Sequence, residues 1–328
     1  MRRGLRSDPT RKPKAKQVMA MNSSRRPVKV SVLVGSLLLT GGTMTQAAPN
    51  TFNTALPVAQ GQTIWREQLV LRERSDDGPM DRDVSVQALV SVLGYGVTSN
   101  IAVFGMVPYF FNKELDVAMP MGPMDRIERD TSGFGDLSLF GRYTLYKKDF
   151  TGSTFRVAPV FGLTAPTGDD NDSDRFGELP RSLQAGDGAW DGFGGVVTTY
   201  QTLQYQLDGQ LLYRENGRHD GFARGDETRF DASLQYRIWP RSMQGVSGTP
   251  GFVYALLESN LVHRERDQLG SGTDANSGGT QWLLAPGLQY VTRRWIVEGT
   301  VQLPVAEDPH GDAIEDEYIV RVGFRRNF

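Results

Sequence analysis

From residue 62 onward, apolar and polar residues alternate with a period of two in one segment after another. The stretch TRFDASLQYRIW is the clearest case, because Phe230, Ala232, Leu234, Tyr236 and Ile238 share one face while polar residues share the other. This alternation predicts half-buried β-strands with one hydrated face. Gly, Asn, Asp and Pro separate the segments, as expected for the turns between strands.

The pattern predicts twelve strands joined by connections of alternating length. The strands span residues 62–73, 83–96, 100–112, 134–147, 153–166, 188–200, 204–215, 227–239, 251–265, 280–291, 294–305 and 317–328. The connections on one side are short, at 97–99, 148–152, 201–203 and 292–293, with 240–250 as the one long exception on that side. Those on the other side are longer and polar, at 74–82, 113–133, 167–187, 216–226, 266–279 and 306–316. Tight turns at one end and long loops at the other are typical of an outer-membrane barrel, and less so of a soluble β-sandwich.

Aromatic residues gather near the predicted strand ends, where lipid meets water in membrane barrels. Examples are Phe134, Trp190, Trp239, Trp282 and Tyr318. Backbone groups in hydrocarbon must all be paired, so without helices only a closed sheet can cross a bilayer. We therefore predict an all-β fold over residues 62–328: a transmembrane, antiparallel, up-and-down β-barrel of about 12 strands. The even strand number places both termini in the periplasm.

The first 48 residues read as a signal peptide, with the true start at Met1, Met19 or Met21. A basic region is followed by the apolar run VSVLVGSLLLTGG and by small residues that predict cleavage near Ala47 or Ala48. Residues 49–61 show no alternation, so they either hang in the periplasm or enter the lumen as a plug. The predicted location is the outer membrane of a Gram-negative bacterium, with membrane lipid as the surroundings of the barrel.

Charge and cysteine content exclude several classes of function. The first 48 residues hold ten Lys or Arg and one Asp, which leaves 26 basic against 37 acidic residues and a charge of −11 for residues 49–328. An acidic mature chain predicts no nucleic-acid partner. The chain has no cysteine, which removes disulfides, thiolate metal sites and cysteine nucleophiles.

Four stretches resemble the outer-membrane family labelled putative MetA-pathway of phenol degradation. They are YGVTSNIAVFGMVPYF (95–110), GFGDLSLFGRYTLY (133–146), VFGLTAPTGDD (160–170) and SLQAGDGAWDGFGGVV (182–197). The resemblance implies a β-barrel transporter and hints at aromatic solutes, and it supplies no catalytic residues. In proteins of this kind a final aromatic residue is read by the barrel-assembly machinery, which gives Phe328 the role of an assembly signal and makes that machinery a predicted partner.

Strand parity predicts which charged side chains face the lumen. They are Asp136, Arg142, Arg156, Asp191, Asp208, Arg214, Arg229, Asp231, Arg237, Glu298, Arg321 and Arg325. Two interpretations stay open: a polar lining that selects a solute, or paired charges that stabilise the wall. A twelve-stranded barrel leaves a lumen of roughly 10–12 Å, between the filled interior of eight strands and the aqueous channel of sixteen.

Two further patterns suggest chemistry, and we expect neither to carry it. The run DDNDSD (169–174) places acidic residues at alternate positions, but Arg175 and Arg181 stand where an EF-hand needs Gly and Glu, which favours a solvated loop. His219, His263 and His310 have no serine nucleophile beside them. The sequence contains no nucleophile elbow, P-loop or His-Glu-x-x-His motif. We therefore predict no catalytic residues, no metal site and no cofactor.

The sequence thus favours an outer-membrane channel for passive uptake of small apolar or aromatic molecules through a narrow lumen. Two alternatives remain. One is a hydrolase with its site at the barrel rim, and the other is a structural or adhesive barrel with binding loops.

Overall fold

The computed structural model describes residues 47–76, 81–118, 126–242 and 251–328. These residues form a closed barrel of twelve antiparallel strands. The strands are β1 (Thr63–Ser75), β2 (Arg82–Gly96), β3 (Ile101–Ala118), β4 (Arg126–Phe134, Leu137–Tyr143 and Tyr146–Phe150), β5 (Ser153–Ala165), β6 (Asp191–Thr202), β7 (Tyr205–Glu215), β8 (Glu227–Trp239), β9 (Phe252–Arg264), β10 (Gly279–Val291), β11 (Trp295–Pro309) and β12 (Glu315–Asn327). The prediction of an all-β, closed antiparallel barrel of twelve strands is confirmed, and the periplasmic location of the termini stays a prediction.

The barrel closes where β12 pairs with β1. Gln68 lies opposite Gly323 in this antiparallel pairing, and Ile64 lies opposite Asn327. Beyond the strand end, the Phe328 amide donates to the Thr63 carbonyl oxygen at 2.9 Å, and the Thr63 amide donates back at 3.3 Å. Phe328 thus belongs to the closing seam, and its role as an assembly signal stays a prediction.

The two ends of the barrel differ, as the connection lengths predict. At the end we call the short-turn end, β3 follows β2, β5 follows β4, β7 follows β6 and β11 follows β10 with two to four residues between them. This end also holds the start of β1 and the end of β12. The opposite, long-loop end carries the connections 166–190, 216–226 and 265–278, which add small sheets of two-residue strands.

The outer surface of the wall is apolar and the inner surface is largely polar. Outward residues such as Leu139, Phe161, Leu211 and Leu288 are more than half exposed, as expected for side chains that face lipid. Inward residues such as Gln235 are buried. Among the described residues, no helix is long and apolar enough to cross a bilayer.

Two features of β3 and β4 differ from the prediction. The predicted connection 113–133 is too long, because β3 continues to Ala118 and β4 begins at Arg126. These extensions are rich in charged residues, and Arg126 pairs with Asp116 at 2.8 Å and with Asp83 at 3.0 Å. Charge on both faces hides this part of a strand from an amphipathic pattern. The second difference is that β4 is interrupted at Gly135–Asp136 and again at residues 144–145.

Some predictions lie outside the described residues. They concern residues 1–46 of the predicted signal peptide and most of the predicted connection 240–250.

Candidate functional site in the barrel interior

Residues 47–61, which we call the inner segment, lie inside the barrel rather than beside it. The Gly61 amide donates to the Gly96 carbonyl oxygen at 2.8 Å, so the inner segment joins β1 at the short-turn end. Ala55 is fully buried against Ala158 and Val160 of β5. Ala47, at the other end of the inner segment, packs on Val291 and Ile296, again near short turns.

The middle of the inner segment is held by a buried carboxylate of β9. Glu258 accepts hydrogen bonds from the Asn50 amide at 2.7 Å, the Thr51 amide at 3.0 Å and the Thr51 hydroxyl at 2.6 Å. The Asn50 carbonyl oxygen in turn accepts from Arg66 at 2.9 Å and from Gln68 at 3.0 Å. Donors and acceptors of the inner segment are therefore paired with inward side chains, as buried backbone requires.

A second set of contacts joins the inner segment to β4, β6 and β7. Thr54 Oγ1 lies 3.0 Å from Thr199 Oγ1 and donates to Asp208 at 2.9 Å. The Arg142 guanidinium donates to the carbonyl oxygens of Thr54 and Leu56, both at 2.6 Å. The sequence left open whether residues 49–61 hang in the periplasm or enter the lumen. These contacts are with side chains that face the lumen.

A cavity of about 650 Å³ lies between the inner segment and the wall. One side of it is apolar and aromatic. The rings of Phe104 and Phe140 stack with centroids 4.8 Å apart, and Phe193 follows at 6.0 Å from Phe140. Met106 and Leu212 extend this apolar side.

The structure places five of the predicted lumen charges on the cavity itself, namely Arg142, Arg214, Arg229, Arg321 and Arg325. Three predicted carboxylates form ion pairs with cavity arginines. Asp191 lies 3.4 Å from Arg214, Asp231 lies 3.2 Å from Arg229, and Glu298 lies 3.7 Å from Arg325. Arg66, which was not predicted, also lines the cavity and pairs with Glu298 at 2.6 Å.

The other four predicted lumen charges lie away from the cavity. Asp208 is buried and accepts hydrogen bonds from the Thr54 hydroxyl and the Gln206 side-chain amide. Arg237 donates to Gln204 Oε1 at 3.0 Å near the short-turn end. Arg156 stands opposite Thr199 in the pairing of β5 with β6. Asp136 lies in the first interruption of β4.

Sequence reasoning missed the aromatic side of the cavity, because it took the inward face of each strand to be polar. The signal was present, since Phe140 is two residues from Arg142, and Phe193 is two residues from Asp191. With a period of two, both rings share the face of a predicted lumen charge. Parity alone would therefore have placed Phe140 and Phe193 in the lumen.

The glycine motifs behind the family resemblance meet at one place. Asp136 accepts hydrogen bonds from the backbone amides of Thr167 at 2.9 Å, Gly168 at 2.8 Å and Asp187 at 3.0 Å. A Cβ on Gly168 would lie 2.8 Å from the Phe134 carbonyl oxygen, and one on Gly186 would lie 2.6 Å from the Gly168 carbonyl oxygen. The Gly-Asp, Pro-Thr-Gly and Ala-Gly-Asp motifs thus hold the 166–190 loop against β4.

The carboxylates of the acidic run 169–174 contact different side chains and do not converge on one point. Asp172 accepts from the Thr131 hydroxyl at 2.7 Å, and Asp174 accepts from Arg129 at 2.8 Å. The hydrogen bond from Arg129 holds the pKa of Asp174 below its usual value. Among the described residues, no three His, Asp or Glu side chains are grouped as metal ligands.

The three histidines lie at the long-loop end. His219 Nε2 lies 3.1 Å from Asp170 Oδ2. His263 Nδ1 lies 2.8 Å from the Thr280 hydroxyl, and His310 Nδ1 lies 3.1 Å from the Ser277 carbonyl oxygen. The contacts of His219 and His310 link neighbouring loops, whereas that of His263 joins paired residues of β9 and β10.

Comparison with known proteins gives one family and a set of similar barrels. The model of the family described as "Putative MetA-pathway of phenol degradation" matches residues 60–307. No curated protein matches the sequence. The solved COG4313 outer membrane channel from Pseudomonas putida F1 has a TM-score of 0.62 at 14% identity, covering 86% of this chain and 100% of that one. This likeness supports the barrel fold.

Two autotransporter domains are more distant. The transport unit of AIDA-I from Escherichia coli has a TM-score of 0.46 at 11% identity, with coverage of 81% of this chain and 90% of that one. The β domain of the Bordetella autotransporter BrkA has a TM-score of 0.44 at 12% identity, with coverage of 82% and 100%.

Proposed function

Since this chain belongs to the family described as "Putative MetA-pathway of phenol degradation", we propose that it is an outer-membrane channel through which small apolar or aromatic molecules diffuse passively. The observation that carries the proposal is the cavity of about 650 Å³ inside the barrel, with Phe104, Phe140 and Phe193 on its wall. A volume of this order is typical of sites for small organic ligands.

The outward apolar residues support a location in lipid. The barrel also resembles in fold a protein described as an outer membrane channel. In this account the partners of the barrel are membrane lipid, the assembly machinery that inserts it, and the solute. The barrel works without a catalytic step, a metal or a cofactor.

The solute moves beside the inner segment rather than through a fully open pore. The cavity is bordered by the inner segment and also by Gln62, Ile64 and Asn327, which belong to the short-turn end. It therefore extends from the aromatic row toward that end. A narrow path of this kind suits single small molecules and excludes large ones.

The proposal is tested by the swelling of proteoliposomes in benzamide, a small neutral aromatic solute, with the rate of protein-free vesicles subtracted. We expect faster swelling with the wild-type protein. Leu212→Trp fills the cavity and should slow it, whereas Leu211→Trp, a neighbouring residue that faces outward and is 56% exposed, should not. Equal rates in protein-free and wild-type vesicles would overturn the proposal.

A further inference from the structure

The charge on the cavity wall is of one sign. Among the described residues that line it, six are arginines and none is Asp or Glu; the arginines are Arg66, Arg142, Arg214, Arg229, Arg321 and Arg325. A barrel interior has to be polar, but that requirement would be met equally by mixed charges. The general polarity of barrel interiors therefore does not explain why the charge on the cavity wall is all positive.

The neighbouring carboxylates compensate only part of this charge. Glu298 pairs with both Arg66 and Arg325, and Asp191 pairs with Arg214. Arg229 lies 3.2 Å from Asp231 and 3.9 Å from Glu227. Four carboxylates thus pair with four of the six arginines, which leaves two arginines without an ion pair. Two other buried carboxylates, Asp208 and Glu258, accept hydrogen bonds from the inner segment and do not line the cavity.

Arg142 and Arg321 have neutral partners. Arg142 donates to two backbone carbonyl oxygens, and Arg321 donates to Gln302 Oε1 at 2.7 Å and to Gln68 Oε1 at 3.1 Å. Between described residues, neither forms an ion pair within 4.0 Å. Arg142 is only 7% exposed. A buried cation without a carboxylate in direct contact is costly, which favours the entry of an anion.

Further donors are available to such an anion. Nε and Nη2 of Arg325 and Nε of Arg229 are buried without a hydrogen-bond partner. Guanidinium groups suit carboxylates, because two parallel N–H groups can bind the two oxygens at once.

Two of the arginines are placed on the aromatic row. The Arg142 guanidinium carbon lies 4.9 Å from the Phe104 ring centroid, and that of Arg214 lies 5.0 Å from the Phe193 ring centroid. Between them lies Phe140, stacked on Phe104. The wall thus offers apolar ring surface with cationic donors at either end of it.

We propose that the cavity binds small aromatic molecules that carry a carboxylate, in preference to neutral or cationic ones of the same shape. The ring lies against the Phe104–Phe140–Phe193 row and the carboxylate faces the arginines. This inference rests on the proposed channel function for its physiological meaning, and it can be tested without transport.

The test is calorimetric binding to the full chain, folded in detergent micelles in low-chloride buffer, of three probes with nearly identical shape: benzoate, benzamide and benzamidine. We expect benzoate to bind roughly tenfold more tightly than benzamide, as one charge-assisted hydrogen bond would give. Benzamidine should not bind detectably. Added salt should weaken the binding of benzoate more than that of benzamide.

Arg321→Gln should weaken benzoate binding roughly tenfold and leave benzamide unchanged, because the cationic group is removed while the aromatic row stays intact. The control is Arg293→Gln, an exposed residue in the turn between β10 and β11, which should bind as the wild type does. Native heat-modifiable mobility on gels shows that each variant folds.

Equal affinity for benzoate and benzamide, or an Arg321→Gln variant with unchanged benzoate affinity, would overturn the inference. Preference for benzoate together with no solute-dependent swelling would overturn the channel and keep the binding site. Swelling in benzamide without a preference for benzoate would overturn the binding preference and keep the channel.

Discussion

Thr54 Oγ1 of the inner segment lies 3.0 Å from Thr199 Oγ1 of β6, so two γ atoms from distant parts of the chain are in contact inside the barrel. A disulfide needs two γ sulfurs about 2.05 Å apart, which is a small adjustment from this distance. The chain has no cysteine of its own, so a pair introduced here could react only with itself.

We predict that Thr54→Cys/Thr199→Cys forms a disulfide under oxidation and that the locked protein still admits benzamide at the wild-type rate. The reason is that the cavity lies beside the inner segment, which does not have to move. The measurement is proteoliposome swelling before and after reduction, with Thr54→Cys alone as the control. A rate that falls on oxidation and recovers on reduction would show instead that the inner segment is a gate.

Glu258 is the main attachment of the inner segment, and its loss should free that segment. Glu258→Leu leaves two backbone amides and one hydroxyl without their acceptor, at a cost of roughly 3 kcal/mol. We expect chymotrypsin to cleave at Phe52 in this variant and not in the wild type, where Phe52 is buried. Faster benzamide swelling should accompany cleavage.

The control for this experiment is Glu317→Gln, which changes an exposed carboxylate of β12. It should leave Phe52 protected. Protection of Phe52 in Glu258→Leu would mean that the remaining contacts hold the inner segment without Glu258.

The contact of Gly186 with the Gly168 carbonyl oxygen should make the 166–190 loop sensitive to a single methyl group. Gly186→Ala places a Cβ about 2.6 Å from that oxygen, and we expect a loss of roughly 1–3 kcal/mol in the anchoring of the loop. Gly141→Ala is the matched control, because its Cβ would meet nothing closer than 4.0 Å. Trypsin cleavage after Arg181 measures the difference, and equal cleavage of the two variants would contradict the packing account.

The 166–190 loop should also respond to acid through Asp174. Because the hydrogen bond from Arg129 lowers the pKa of Asp174, this contact is fully present above the usual Asp pKa and is lost as pH falls through the lowered value. We expect pepsin to reach the loop only in that acidic range. Asp174→Asn should be cleaved more readily at every pH tested, without a transition there. A wild-type transition at or above the ordinary Asp pKa would show that another group controls it.

Most of the fold could be predicted from the sequence because the wall obeys one simple rule. Strands such as β8, where Phe230 to Ile238 alternate with polar residues, sit between lipid and a polar interior, and the predicted bounds 227–239 match those observed. The rule fails where both faces of a strand carry charged residues, as at Lys113, Glu114 and Asp116 of β3, and where the chain is not a strand.

The candidate site was harder to predict because it depends on contacts that no local pattern encodes. The inner segment is ordered by Glu258, more than 200 positions away in sequence. The lumen was expected to be polar, but the rings of Phe104 and Phe193 face inward. Strand parity is the only signal in the sequence for that direction. The motif glycines were recognisable in sequence, but their contact with one another at Asp136 was not.

Conduction through the barrel is measured by a planar-bilayer recording of the folded protein in asymmetric potassium chloride, with folding verified beforehand by heat-modifiable mobility. We expect discrete openings absent from protein-free bilayers, with a reversal potential displaced toward that of chloride, because the cavity wall carries six arginines and no carboxylate among its described residues. Folded, inserted protein that produces no openings above the protein-free baseline would contradict the proposed channel function.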